Sequence, residues 1–515
     1  MFFAIKAIIV CWLVYRIWRV FYNFFLHPLR RYPGPILYRA TCLPRFYDVM
    51  SGRSAPRMTE LHEKYGTVVR YSPDELSFID GDAWKTIYVN GNNKAPFAKE
   101  PAHYPLPPDM PAGLLQDLDD ASHRRQRQVF SSAFSERALK DQEPLLRTHV
   151  ERLTAKLTEL SNQDVDITDY LNYVAFDIMG DLAMGASLGL LVDKDSKFAS
   201  WVRTAVGSIK LLIIRSALGF YAPVLAKVLL SILAKPLKKK REEHGKHTKA
   251  AVSKRLATHT DRPDFWTLVL DGKKQGADGG LPLSLGEMHA NASLFMIGGT
   301  ETSATLLSGA LYLLLTNPEC LRRLTDEVRG AFKSQADISL EALPRCQYLN
   351  AVLDEALRVY PPVAEGLHRV APAGGAVVCG HFVPEGTTVQ IPHYATYHSS
   401  RNFHLPHSFI PSRHLPPATT DPSSPFYADK RKALQPFGVG PRNCIGRNLA
   451  YHEMRLVLAS LVWCFELELA PRMQGVRGAG VGGSVGMGGG WLDQKAWAVW
   501  EKGPLWLRFA PRREG

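Results

Sequence analysis

The sequence predicts a mainly α-helical protein carrying small β-sheets. Long stretches repeat apolar residues at the helical period, and two short runs alternate. No Pro/Ser linker, long charge tract or internal repeat divides the 515 residues.

Residues 1–26 are apolar but interrupted by Lys6, Arg16 and Arg19. The longest wholly apolar run, 7–15, falls short of the ~20 residues that a bilayer core requires. Lysine and arginine snorkel, so a strained span and a helix lying in the interface both fit, and a membrane anchor over 1–26 is expected. No small-residue cleavage site follows, which argues against a signal peptide. Residues 27–35, His27-Pro28-Leu29-Arg30-Arg31-Tyr32-Pro33-Gly34-Pro35, read as a stiff basic hinge.

Residues 67–80 alternate enough to form a hairpin around Ser72-Pro73-Asp74. Residues 90–111, rich in Pro, Asn and Gly, read as an irregular loop. Helical patterns cover 142–160, 170–184 and 197–234. The stretch 284–315 is one very long helix with a capping box, Ser284 and Glu287, and Asn317-Pro318 ends it. Residues 376–392 read as a hairpin turning at Pro384-Glu385-Gly386. The glycine-rich tract 475–490 is expected to be a flexible loop. Beyond it, Trp491-Leu492-Asp493-Gln494-Lys495 and Trp500-Glu501-Lys502 suggest a final strand pair.

Composition narrows the class. Hydrophobic residues at 46% and charged residues at 22% are ordinary for a globular protein. Seven dispersed cysteines without CxxC spacing argue against both a disulfide framework and a zinc site and suit a reducing compartment. The net charge of +13 has no nucleic-acid-binding module to carry it, so no nucleic-acid partner is expected. Its densest cluster, 235–249, includes Glu242 and Glu243 and reads as a solvated face or a membrane or acidic-protein contact.

The chemistry concentrates in Phe437-Gly438-Val439-Gly440-Pro441-Arg442-Asn443-Cys444-Ile445-Gly446. A lone cysteine is usually a buried small hydrophobe. This one sits in a glycine-rich loop before a helical pattern that starts at Arg447, which describes a thiolate held against a flat cofactor. The glycines let the backbone turn and approach a ring closely. A helix N-terminus is expected to stabilise the thiolate of Cys444. Phe437 is placed to shield the sulfur, and Arg442 to pair with an acidic edge of the cofactor.

This loop resembles the haem-ligating loop of the cytochrome P450 superfamily, and the resemblance runs along nearly the whole chain. It implies a single large haem-thiolate cytochrome P450 fold, with a catalytic domain over 36–515 behind the hinge. It also implies haem b as cofactor, with the Cys444 thiolate as the axial ligand of its iron.

Four further elements match the family in order. Gly298-Gly299-Thr300-Glu301-Thr302-Ser303 lies mid-helix, where each glycine costs ~1 kcal/mol relative to alanine. There Gly298 and Gly299 border the cofactor, while Glu301 and Thr302 are the acid and alcohol that relay protons in oxygen activation. Glu355-Ala356-Leu357-Arg358 supplies a pair three apart on one helix face. In the family that pair is buried and locks with a later arginine, here Arg413 in Phe409-Ile410-Pro411-Ser412-Arg413-His414. Ser412 and His414 depart from the usual form, so the clamp is expected with different local support. His123 and Arg127, at i and i+4, take the place of the family's Trp and Arg contacts to a haem propionate. Arg369, after His368, resembles a further propionate contact. Residues 363–367 would line the substrate pocket, with Glu365 expected as an exposed loop residue rather than a substrate contact. Asn291-Ala292-Ser293 matches a glycosylation acceptor but sits inside the long helix and is discounted.

The resemblance implies a monooxygenase that inserts one oxygen atom from O2 into a lipophilic small molecule. No Gly-x-Gly-x-x-Gly opens a βαβ unit, so electrons must come from outside. The implied partner is an NADPH-cytochrome P450 reductase in the same membrane, docking near Lys430, Arg431 and Lys432. The expected location is the endoplasmic reticulum membrane, with the catalytic domain cytosolic. Residues 22–35, Arg124-Arg125-Gln126-Arg127 with 131–139, and 435–456 resemble filamentous-fungal members of secondary metabolism, whose substrates include terpenoids and polyketides. Two other classes stand beside this reading. A haem-thiolate isomerase or dehydratase needs no reductase and often lacks the acid–alcohol pair. A non-catalytic haem-binding protein would need neither.

Overall fold

A computed structural model describes residues 2–89, 96–104, 106, 111–193, 197–227, 246, 248–258, 260–271, 283–476 and 490–512. Most of the glycine-rich tract, most of the basic cluster at 235–249 and parts of 90–111 lie outside the described residues, as does the end of the 197–234 pattern.

Ten helices shape the site: α1 (Phe2–Phe25), α2 (Leu43–Ser51), α3 (Asp120–Phe130), α4 (Glu136–Glu159), α5 (Ile167–Met184), α6 (Lys197–Tyr221), α7 (Leu285–Thr316), α8 (Pro318–Ala331), α9 (Gln347–Val359) and α10 (Arg447–Cys464). The capping box at α7 is formed as expected: Glu287 N donates to Ser284 Oγ, and Ser284 N to Glu287 Oε2. Asn317 caps α7, and Pro318 opens α8. From Thr300 to Leu314 almost every α7 side chain is buried, because α5, α9 and α10 all pack on it. This all-round burial suits a helix apolar on every side. Asn291 is fully buried, its Nδ2 donating to Gln126 Oε1 at 2.7 Å, so the acceptor-like tripeptide belongs to the core.

Among the described residues, twelve strands make small sheets: β1 (Val68–Ser72), β2 (Glu75–Phe78), β3 (Ala98–Lys99), β4 (Val165–Asp166), β5 (Arg369–Val370), β6 (Ala376–Val378), β7 (His381–Val383), β8 (Thr388–Gln390), β9 (Phe465–Leu469), β10 (Ala496–Trp497), β11 (Val499–Trp500) and β12 (Trp506–Pro511). The β1–β2 hairpin turns where expected and leads a five-stranded sheet in the order β1-β2-β8-β5-β3.

Two expected hairpins are redrawn. Within 376–392 the turn falls at Cys379-Gly380, both with positive φ, and joins β6 to β7. Pro384-Glu385-Gly386 then carries the chain to β8, which pairs with β2 and β5 instead. Near the C-terminus β10 and β11 turn on Ala498 (φ 63°), and 491–495 is not a strand. Phe509 and Leu507 instead bring β12 against β9. Burial decided both registers, since alternation alone does not say which sheet a strand joins.

Residues 27–35 are docked on the catalytic sheet. Arg70 N donates to Pro33 O at 2.7 Å, and Tyr32 Oη to Phe382 O at 2.6 Å. No described helix is both long and apolar enough to cross a membrane. On α1, Trp12, Leu13, Val14, Tyr15, Ile17 and Trp18 are exposed.

Candidate active site

The Cys444 loop is built by a backbone reversal. Cys444 N donates to Phe437 O at 2.9 Å, closing the segment on itself. Gly440 has φ 79°, and a Cβ there would lie 2.2 Å from Tyr88 O, so no other residue fits the turn. Phe437 packs its ring on Tyr451 of α10, with centroids 5.3 Å apart. A Cβ on Gly446 would make only ordinary contact with Cys444 Sγ, at 4.0 Å.

Cys444 departs from the expected position at a helix start. The helix begins at Arg447 with Gly446 as its cap, so the thiol lies just outside the first turn. Burial pushes the Cys444 thiol up; the Gly446 amide, Arg127 and Arg447 lower it but do not prevail. The sulfur nonetheless faces open space. Both facts describe a group set deep in a cleft: protein crowds it, but none covers the sulfur.

Above the loop lies a cationic belt. His123 and Arg127 share one face of α3, as their spacing predicts. Arg127 donates to Asn443 O at 2.6 Å and to Asn443 Oδ1 at 2.5 Å, tying α3 to the residue before the cysteine. Arg369 donates to Tyr104 Oη at 3.3 Å and sits over the Tyr88 ring. Arg442 donates to Asp120 Oδ1 from Nε at 2.9 Å and from Nη2 at 2.6 Å, and to Asp117 O. Lys99 on β3, which sequence reasoning missed, joins the belt with its ammonium donating to Leu115 O.

These charges strain one another. Burial, then Arg442 and Arg369, pull Lys99 down to about 7. Burial, then Arg442, Lys99 and Arg127, pull His123 down to about 4. Three arginines, Arg127, Arg369 and Arg442, gathered around Lys99 and His123 make a site prepared for anions. A soft thiol ligand beside it, with room over the sulfur, fits an iron porphyrin with its two propionates.

Across α7, Gly298 has no atom within 4 Å of where a Cβ would be, whereas a Cβ on Gly299 would meet Met179 Sδ at 2.6 Å. Of the two, then, Gly298 borders open space and Gly299 serves the contact of α7 with α5. Thr302 Oγ1 donates to Gly298 O at 2.7 Å. Glu301 and Thr302 do not point the same way. Glu301 is buried and ion-paired with Lys502, whose Nζ also donates to Thr305 Oγ1 at 2.7 Å, while Glu301 Oε2 has no partner. No local signal in the sequence places Lys502 there.

The expected clamp is present and larger than expected. Arg358 donates to both oxygens of Glu355 at 2.9 Å, and Arg413 Nε to Glu355 Oε1 at 3.0 Å. His414, the departure from the family form, lies 2.9 Å from Glu355 Oε2 and is itself the different support. Arg413 also reaches Asp429 Oδ2 at 2.8 Å. Burial opposes the Glu355 charge, yet Arg358, His414 and Arg413 hold its carboxyl well below the usual range. Glu365 is corrected: it is not an exposed loop residue but pairs with buried Arg45 at 3.4 Å.

Known proteins complete the picture. The cytochrome P450 family profile matches residues 33–477. Cytochrome P450 monooxygenase efuB of Hormonema carpetanum is 40% identical over 512 residues, covering 98% of this chain and 96% of the relative. Averantin hydroxylase of Dothistroma septosporum is 41% identical over 503 residues, covering 97% and 90%. Versicolorin B desaturase of the same fungus is 36% identical over 495 residues, covering 95% and 90%. With the clefted thiol and its cationic belt in place, the match over nearly the full length leaves one conclusion: the chain belongs to the cytochrome P450 family, as a haem-thiolate monooxygenase of secondary metabolism.

Proposed function

We propose that this enzyme oxygenates a lipophilic small molecule of the terpenoid or polyketide type, using haem b and electrons from an NADPH-cytochrome P450 reductase in the endoplasmic reticulum membrane. The observation that carries this reading is the cationic belt of Lys99, His123, Arg127, Arg369 and Arg442 beside the Cys444 cleft.

Cys444 would hold the haem iron through its thiolate, and Arg127, Arg369, Arg442, His123 and Lys99 would receive the propionates. When bound, the haem supplies reductive cleavage of dioxygen, one atom going to substrate and the other to water. The chain's own residues then manage protons and water. Thr302 Oγ1, bonded to Gly298 O, holds open the groove of α7 on the cofactor side. Glu301 holds the proton-relay carboxylate, with Oε2 as the atom free to pass a proton and Lys502 fixing Oε1. Phe437 keeps bulk water from the sulfur.

The reductase face lies on the α10 side. A groove of about 930 Å³ there is bordered by Lys140, Glu341, Arg447, Asn448 and Arg455. Lys430 is exposed and Lys432 is exposed but paired with Asp82, whereas Arg431 is spent on the carbonyls of Arg413, Ala418 and Phe426. Lys430 therefore replaces the triplet as the contact. The exposed apolar face of α1, continued by Ile36, Leu37, Leu43 and Tyr47, suits a helix lying against a bilayer.

Yeast microsomes containing this chain and a reductase, given metabolite extract, NADPH and labelled dioxygen, test the proposal. A reductase-dependent product carrying one labelled oxygen is expected. An unlabelled product that still needs NADPH and oxygen would mean desaturation, the reaction named for the Dothistroma septosporum desaturase. A product formed without either would overturn the proposal in favour of an isomerase.

A further inference from the structure

Three metal-ligand side chains meet away from the Cys444 loop, between β2, the short helix Pro101–His103 and the residue before β5. One ligand atom from each of Glu75, His103 and His368 lies within 4.8 Å of the other two. The surrounding contacts are already those of a ligand set. His103 Nδ1 lies 2.6 Å from Glu100 Oε2, the carboxylate–imidazole pairing that fixes a tautomer and leaves Nε2 as the ligand atom. The hydroxyls of Tyr71 and Tyr221 donate to the two oxygens of Glu75 at 3.0 and 2.9 Å. His368 is 6% exposed, and its Nε2 is buried with no hydrogen-bond partner.

An unpartnered buried imidazole nitrogen is costly to keep, and nothing in the proposed oxygenation chemistry uses this one. The two histidine rings are stacked, with centroids 3.7 Å apart and planes at 19°. The nearby guanidinium of Arg45 is engaged by Ser54 and Glu365, so it does not claim Glu75. A cavity of about 200 Å³, lined by Glu75, Phe220 and Tyr221 together with Arg16 and Arg19, borders the carboxylate side of the cluster.

We propose that Glu75, His103 and His368 form a two-histidine, one-carboxylate site for a divalent transition-metal ion of the zinc type. Imidazole and carboxylate donors suit zinc, nickel or copper; calcium and magnesium require all-oxygen sets. Zinc–nitrogen bonds of about 2.0–2.1 Å require the ligand atoms to draw in from their present spacing, so both rings turn out of their stack. The bound ion cross-links β2 to the 101–103 turn and to the segment that presents Arg369. Water or the Tyr221 hydroxyl completes the coordination.

The test is equilibrium dialysis of the purified full-length haem protein against zinc chloride with a weak competing chelator. Zinc is counted by mass spectrometry, and its ligands are read by zinc-edge X-ray absorption. One zinc per chain with two imidazole ligands is expected. His103→Gln and His368→Gln should each weaken binding by at least about 100-fold, and Glu100→Gln, one shell out, by roughly 10- to 100-fold. The haem absorption spectrum reports folding. Should His368→Gln fail that check, His103→Gln decides, because His103 is only half-buried. Absence of stoichiometric zinc, zinc retained equally by the variants, or a sulfur-dominated ligand shell would each overturn the proposal as adventitious binding.

Discussion

His414 Nε2 lies 2.9 Å from Glu355 Oε2, so one buried carboxylate binds His414, Arg358 and Arg413 together. The arrangement links α9 to the loop that leads towards the cysteine, because Arg413 also binds Asp429. Removing the carboxylate strands two buried guanidinium groups. Glu355→Gln is expected to cost about 3–5 kcal/mol and to abolish haem retention. His414→Phe removes one of the contacts and should cost ~1 kcal/mol, measured by denaturant midpoint. A neutral outcome for Glu355→Gln would show that the clamp contributes nothing to stability.

The Glu301–Lys502 pair is buried at both ends, with side chains 2% and 6% exposed. Lys502→Met leaves a lone buried carboxylate and should destabilise by about 3–5 kcal/mol. The double variant with Glu301→Gln should recover most of that loss, since both charges are then gone. Glu301→Gln alone should lower product formation by roughly 100-fold, with NADPH diverted to hydrogen peroxide. Equal product yield per NADPH in that variant would remove Glu301 from the proton relay.

Glu453 on α10 accepts a hydrogen bond from Ser303 at 2.9 Å, and burial raises its carboxyl to about 8 despite that bond. Its folded value lies above that of an unfolded glutamate, so the folded protein holds the extra proton between the two values. The stabilisation is therefore complete below the unfolded value of roughly 4.3. It is lost as pH rises through about 8. One proton corresponds to a slope of ~1.4 kcal/mol per pH unit in that window. Glu453→Gln keeps the acceptor for Ser303 and should flatten the decline in denaturant midpoint between pH 6 and 8. An unchanged slope would place the carboxylate outside the titration.

Lys99 is held at about 7 by burial and by Arg442 and Arg369. A haem propionate placed beside it would relieve that repulsion. Lys99→Met should then speed haem transfer to an acceptor protein by roughly 10-fold, the loss of one charge-assisted hydrogen bond of about 1.5 kcal/mol. Transfer at the wild-type rate would place the propionates elsewhere in the belt.

Much of this was legible locally. The capping box of α7, the turn at Ser72-Pro73-Asp74 and the shared face of His123 and Arg127 follow from spacing alone, because each involves residues within one or two turns. The pair Glu355 and Arg358 was legible for the same reason, although spacing could not say that it is buried. The β6–β7 and β10–β11 turns were misplaced by a few residues. There alternation allows several registers, and the choice rests on which sheet edge is open.

By itself, then, the sequence determined the glycine-rich loop around Cys444, the helix that follows it and the enzyme class. These depend on short-range backbone chemistry and on a contiguous motif. Only the tertiary structure decided that Lys502 meets Glu301 across 201 residues, that Lys99 joins the belt of Arg369 and Arg442, and that His414 closes on Glu355. Such neighbourhoods arise when packing removes a charge from water and sets it beside whatever charges, of either sign and however distant in the chain, fold onto the same place.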